Sequence, residues 1–138
     1  MADARAALRA GETVVVLPPG TIPRGPAFFE PTLEGRPGAA RLAAATGAPV
    51  IPVGIWGTEK VWPRSARFPN LTTVVHPPVV TVRVGPPVEG LGRSDPAADT
   101  EVIMAAISEL LPDEAHRRCE PTAEEIERAS PAGPRRNR

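Results

Sequence analysis

Cysteine is nearly missing from this sequence. Cys119 is the only one, which excludes an internal disulfide framework and a multi-cysteine metal site and fits a reducing cytoplasm. With no His-Asn or Cys-x-x-Cys context beside it, Cys119 is expected to be incidental rather than reactive. Net charge is missing too. Sixteen basic residues balance sixteen acidic ones, so no bulk field points to nucleic acid and any anion site must be local. No apolar run approaches the roughly 20 residues of a membrane span. The N-terminus, with Asp3, Arg5 and Arg9 among alanines, does not read as a signal peptide. The expectation is a cytoplasmic chain that meets a membrane only peripherally or through a part outside this sequence.

What is present is proline, 19 residues of it in a chain of 138, with many Ala, Arg and Gly and almost no Lys. That composition suits one domain with a modest core and many turns. Residues 2 to 10 read as a short Ala-rich helix stopped by Gly11, and Thr13 to Leu17 as a buried β-branched strand. Pro18-Pro19-Gly20 opens a Gly- and Pro-rich stretch to Pro37, longer than most structural connections and therefore a candidate functional loop. Gly38 to Thr46 is helical by its alanines, Gly47 is its stop, and Pro49 to Trp56 returns to a strand made irregular by Pro52.

Further on, Val80, Val82 and Val84 alternate with Thr81 and Arg83, predicting a strand with a valine core face and a wet face. Asp99 is placed to cap a helix through Leu111, with Ile103, Ile107, Leu110 and Leu111 on one face and Pro112 at its end; Asp95 reads as loop. Thr122 and Glu125 have capping-box spacing for a last short helix. Residues 130–138, rich in Pro and Arg, are expected to be a disordered tail. There is no internal repeat.

The segment from Val14 to Gly25 puts a Gly20-Thr21 turn at the end of a strand, where backbone amides, a hydroxyl and Arg24 would converge on a phosphate. The same spacing also fits a plain Pro-Gly turn with a solvated arginine. Over Leu17 to Pro23 the wording resembles the third motif of the phospholipid-synthesis acyltransferases, Phe-Pro-Glu-Gly-Thr-Arg-Ser. Pro18, Gly20 and Thr21 match, while Leu17 stands for Phe, Pro19 for Glu, Ile22 for Arg and Pro23 for Ser. The run from Gly20 to Phe29 is similar to an actinobacterial branch in which the acyltransferase is fused behind a haloacid-dehalogenase-type phosphatase domain. There Arg24 would replace the missing motif arginine.

Glu34 to Ala43 resembles the family's Phe-Lys-x-Gly-Ala-x-x-Leu-Ala, with Arg36 on the basic position before a helix. A cation beside a helix N-terminus reinforces the dipole's attraction for phosphate; the alternative for Arg36 is surface charge. Pro49 to Thr58 resembles the fourth motif, an apolar strand beside the acceptor site, which implies that Val50, Ile51, Pro52 and Val53 shape an acceptor pocket. Phe28, Phe29, Trp56, Trp62 and Phe68 fit either lipid contact or ordinary packing.

The resemblance spans about Ala6 to Ser130 and implies a lysophosphatidate (1-acylglycerol-3-phosphate) acyltransferase. The fold expected is α/β: the C-terminal part of the glycerol-3-phosphate acyltransferase-like mixed sheet flanked by helices, as a partial domain over residues 1–129. The substrates implied are lysophosphatidate and an acyl thioester, acyl-CoA or acyl carrier protein, with no cofactor and no metal. Gly20, Thr21, Arg24 and Arg36 would hold the phosphate. The family's His-x-x-x-x-Asp motif, which deprotonates the acceptor hydroxyl, has no counterpart: His76 and His116 lack the aspartate. No catalytic residue is therefore assigned, and the chain is expected to be inactive alone.

A start set too far downstream, a fragment, one half of a split enzyme and a non-catalytic anionic-lipid or partner-binding subunit all stay open. Self-association or an N-terminal half would cover the apolar edge at Val14, Val15 and Val16. Other chemistries lack their motifs, with no Gly-x-Ser-x-Gly, Walker loop or His-Glu-x-x-His.

Overall fold

The structure, a computed structural model, describes residues 2–20, 23, 25–31, 34–62, 68, 77–92, 95–117 and 120–129. Its class is α/β. In chain order come α1 (Ala2–Arg9), a 3-10 helix (Gly25–Phe29), α2 (Gly38–Thr46), β1 (Val53–Trp56), α3 (Thr58–Val61), β2 (Thr81–Val84), α4 (Pro96–Ser108), a second 3-10 helix (Asp113–His116) and α5 (Ala123–Arg128). The expected tail at 130–138 lies outside the described residues. The chain divides into two compact units. The first is Met1–Thr21, Thr32–Gly54 and Arg83–Leu111, and the second is Ile22–Pro31, Ile55–Val82 and Pro112–Arg138.

Local chemistry accounts for the helix ends of the first unit. Gly11 adopts φ 81° and its N–H donates to the Leu8 carbonyl at 3.1 Å, closing α1. Gly47 adopts φ 68° and donates to Ala43 at 2.8 Å, closing α2. Both positions need the left-handed backbone that glycine supplies without a Cβ penalty. The core of this unit is where α2 packs on α4, burying Ala40, Leu42 and Ala43 with Ile103 and Met104. Alanines on α2 let the helices approach closely. Gly35 lies under the same contact: a Cβ there would stand 2.7 Å from Met104 Cγ and 2.8 Å from Thr100 Cγ2.

The start of α4 corrects the sequence expectation. Asp95, not Asp99, is the N-cap; its carboxylate accepts the Ala97 N–H at 3.2 Å, and Pro96 takes the first helical position, where its missing donor is harmless. Asp99 is buried one turn in and accepts the Gly92 N–H at 2.8 Å, tying the preceding loop to the helix. The regular helix ends at Ser108, short of Leu111, whose N–H makes a turn to the Ser108 carbonyl.

The sheet is smaller than the mixed sheet expected. Among the described residues it has two strands, β1 and β2, paired antiparallel. In the first unit the pairing continues irregularly upstream: the Pro52 carbonyl accepts the Gly85 N–H at 3.0 Å and the Val50 carbonyl accepts the Val88 N–H at 2.9 Å. Pro52 takes part through its carbonyl alone, because it has no N–H to offer. Thr13 to Leu17 does not form the expected strand; it has no regular element, and Val15, Val16 and Leu17 are exposed. A β-branched run becomes strand only where a neighbouring backbone pairs with it.

The valine face of β2 is also corrected. Val80, Val82 and Val84 are exposed, whereas Thr81 is half-buried. In the first unit the covered side is the other one. Leu110 sits where a Cβ on Gly54 or Gly85 would crowd it, and Arg83 donates to the Leu110 carbonyl at 3.4 Å. Alternation identifies two faces but not which of them a neighbour covers.

In the second unit the long Gly- and Pro-rich stretch contains the Gly25–Phe29 3-10 helix, which packs on α5. The Phe28 and Phe29 rings meet edge to face, with centroids 5.3 Å apart. The capping box expected for α5 is formed: Thr122 N–H donates to Glu125 at 2.8 Å, and Glu125 N–H donates to the Thr122 hydroxyl at 3.3 Å.

Candidate functional site

The turn that follows the apolar run is closed by the Gly20 N–H donating to the Leu17 carbonyl at 3.0 Å, with Gly20 at φ 67°. Sixteen residues later the chain returns to it. The Arg36 N–H donates to the Pro18 carbonyl at 2.9 Å. The Arg36 side chain then runs along Gly20, so that a Cβ on Gly20 would lie 3.3 Å from Arg36 Cδ and 3.5 Å from Nε. The structure thus brings Gly20 and Arg36 together. Thr21 and Arg24, the other two residues expected at the phosphate, lie outside the described residues.

Directly after Arg36 begins α2. Its N-cap is Pro37, which makes no side-chain capping hydrogen bond, and the Gly38 N–H turns back to the Arg36 carbonyl at 2.8 Å. The result is an exposed guanidinium held next to a helix N-terminus and a Pro-Gly turn, with no acidic residue in the first turn of the helix. Positive partial charge at the helix start and full charge on Arg36 act in the same direction, toward an anion. Arg41 is exposed within α2.

Gly20 is favoured by its positive φ, and a Cβ there would also ask the exposed Arg36 side chain to shift slightly. Gly20→Ala is expected to lose about 1–2 kcal/mol from the left-handed backbone alone, read as a lower thermal midpoint. An unchanged midpoint would show that the turn is not held in this form.

The four residues expected to shape an acceptor pocket differ in exposure. Pro52 is buried and Val50 half-buried, while Ile51 and Val53 are exposed. Extended backbone alternates its side chains, so neighbours in the run turn to opposite sides. Of the four, Val50 alone lines a shallow open cleft of about 170 Å³, with Ala43, Gly47, Pro49, Val88 and Leu91 among its walls. His116 is exposed on the second 3-10 helix, and His76 and Cys119 fall outside the described residues. Among the described residues no three His, Cys, Asp or Glu side chains are grouped to hold a metal, and no helix is long and apolar enough to cross a membrane.

Two features of the site had no sequence signal. One is the hydrogen bond from Arg36 to Pro18, a backbone pairing across the long loop. The other is Gly35, whose lack of a side chain admits Met104 and Thr100 beside Arg36.

Fold and site together define an α/β protein with a turn-and-helix arrangement suited to an anion. Residues 1–56, which carry α1, the Pro-Gly turn, Arg36, α2 and β1, match the family model Acyltransferase. That match makes this stretch of the chain similar to the acyltransferase family. No curated protein and no solved structure matches the chain significantly.

Proposed function

We propose that this chain carries the phosphate-holding part of a lysophosphatidate acyltransferase of phospholipid synthesis. The observation that supports this most is the placement of Arg36 along Gly20, held by the Arg36 N–H on the Pro18 carbonyl. Gly20, Thr21, Arg24 and Arg36 would orient the phosphate of 1-acylglycerol-3-phosphate and neutralise its charge, which converts binding into proximity. The free hydroxyl of that lipid attacks the carbonyl carbon of acyl-CoA or acyl carrier protein. The new ester C–O bond forms, the thioester C–S bond breaks, and the thiol leaves with a proton. The thioester is already activated, so acyl transfer needs no further cofactor.

The base that takes the hydroxyl proton is not assigned in this chain, whose sequence has no His-x-x-x-x-Asp. That feature also favours a second reading, a non-catalytic subunit that binds an anionic lipid or a partner. Under either reading the chain works at the inner face of the cell membrane, peripherally. The exposed Val15, Val16 and Leu17 suit cover by an N-terminal half or by a second copy. The actinobacterial branch fused to a phosphatase domain is the subgroup proposed.

Titration with a short-chain lysophosphatidate and with the matching monoacylglycerol tests the phosphate site. The phosphorylated lipid is expected to bind at least about tenfold more tightly, the worth of one charge-assisted contact; equal binding ends the proposal. With lysophosphatidate and oleoyl-CoA the chain alone should show no turnover above background. Turnover lost on His76→Ala or His116→Ala would overturn the motif assignment.

A further inference from the structure

Among the described residues Asp99 is the one buried carboxylate, 4% exposed on α4. A charged group costs much to bury unless it is hydrogen-bonded. Its Oδ2 accepts the Gly92 N–H at 2.8 Å, and Gly92 itself is exposed, so the carboxylate ties a surface loop to the interior of the first unit. Gly92 is one end of a short strap, residues 88–92. The other end is fixed where the Val88 N–H donates to the Val50 carbonyl at 2.9 Å. Between these anchors Glu89 and Gly90 are exposed and Leu91 is half-buried. Gly90 and Gly92 adopt φ 78° and 80°, and a Cβ on Gly90 would meet nothing within 4 Å. Gly92, by contrast, lies against α2, where a Cβ would stand 3.4 Å from Ala44 Cα.

From this we infer that residues 88–92 form a lid over the open cleft of the first unit and that Asp99 is its latch. Val88, Gly90 and Leu91 line that cleft of about 170 Å³ together with Ala43, Gly47 and Val50. Ala43 belongs to the packed contact of α2 with α4, so that part of the lining is fixed. The strap has the marks of a locally opening segment: exposed backbone, two glycines and hydrogen bonds only at its ends. A charge-assisted hydrogen bond is about twice as strong as a neutral one, so a single carboxylate holds the Gly92 end down. When that bond opens, the Val88–Val50 bond keeps the other end in place. The cleft then widens on the Gly92 side while α2 stays packed on α4. None of these residues takes part in the proposed phosphate site, so the two readings stand or fall separately.

The test is amide hydrogen exchange of the full chain, followed residue by residue over a range of denaturant below the unfolding transition. In the unaltered chain the Gly92 amide is expected to exchange through an opening nearly independent of denaturant. The Ile103 and Met104 amides should exchange only through the larger, denaturant-dependent opening of the core. Asp99→Leu, which removes the acceptor and leaves an apolar side chain, should lower Gly92 protection at least about tenfold. Asp99→Asn keeps an acceptor without the charge and should lose less than Asp99→Leu. Gly90→Ala strains the lid alone, through its positive φ, and should lower Gly92 protection about fivefold or more with Ile103 unchanged.

Equal denaturant slopes for Gly92 and Ile103 in the unaltered chain would overturn the lid, because the strap would then open only with the core. Unaltered Gly92 protection in Asp99→Leu would overturn the latch. Equal losses at Gly92 and Ile103 in Gly90→Ala would make the strap part of the core and overturn the lid as well. Should Asp99→Leu fail to fold, the slopes of the unaltered chain and the Gly90→Ala pattern decide.

Discussion

Arg36→Ala is expected to weaken lysophosphatidate binding about tenfold to a hundredfold, the loss of one charge-assisted contact worth about 1.5–3 kcal/mol. The reason lies in how the residue is held. Its backbone is held by the hydrogen bond to Pro18, and its stem lies along Gly20, which places the cation beside the turn that an anion would approach. Arg41 carries the same charge but is exposed in the body of α2, away from the turn in sequence. Arg41→Ala should therefore change binding by less than about threefold, in keeping with a solvated surface charge. Titration of both variants with a short-chain lysophosphatidate checks the pair. Equal losses would mean a diffuse positive surface, and no loss in either would remove the site. Arg36→Lys should recover only part of the affinity, because an ammonium cannot present the paired donors of a guanidinium.

The second large effect is on stability. Ile103 is 2% exposed and Val102, its neighbour on α4, is 48% exposed. Ile103→Ala removes a side chain from the packed contact of α2 with α4 and should cost about 2–5 kcal/mol, transfer and cavity together. At the lower bound the thermal midpoint would fall by about 8 °C. Val102→Ala, on the exposed side, should cost about 0.5 kcal/mol or less. A melt in which the two variants shift equally would place the core of the first unit elsewhere. The contrast is sharp because the described core is small: its large buried side chains are Leu42, Ile103 and Met104, with alanines around them.

Features legible in the sequence were those whose causes are local. The extent of α2, from Gly38 to the left-handed Gly47, follows from alanine propensity and one glycine. The capping box at Thr122 and Glu125 needs only residues three apart. The Asp95 and Asp99 pair shows where such reasoning stops. Both carboxylates are at plausible cap positions, and Pro96 at the first helical position decides for Asp95, a local signal that was present. Asp99 is then buried because Gly92 supplies its donor. In the candidate site the family-like wording marked Gly20 and Arg36, while backbone alternation, which puts Ile51 and Val53 on the exposed side and Pro52 on the buried one, follows from the tertiary cover.

By itself the sequence determined the glycine stops of α1 and α2, the α/β class, the irregular proline in the second apolar run, and a cationic position just ahead of α2. Each is a property of a few consecutive residues, where backbone geometry, missing donors and side-chain entropy act within a turn or two. Only the tertiary structure decided which face of an alternating strand is covered, and whether Thr13 to Leu17 pairs with anything. It also decided that Arg36 returns to the Pro18-Gly20 turn. Those outcomes depend on which neighbour arrives from far along the chain. Hydrophobic burial is non-directional, so an apolar pattern announces that cover is wanted without naming what supplies it. Leu110 covers the Gly54, Arg83 and Gly85 side of the strands, and the valines of β2 are left facing water.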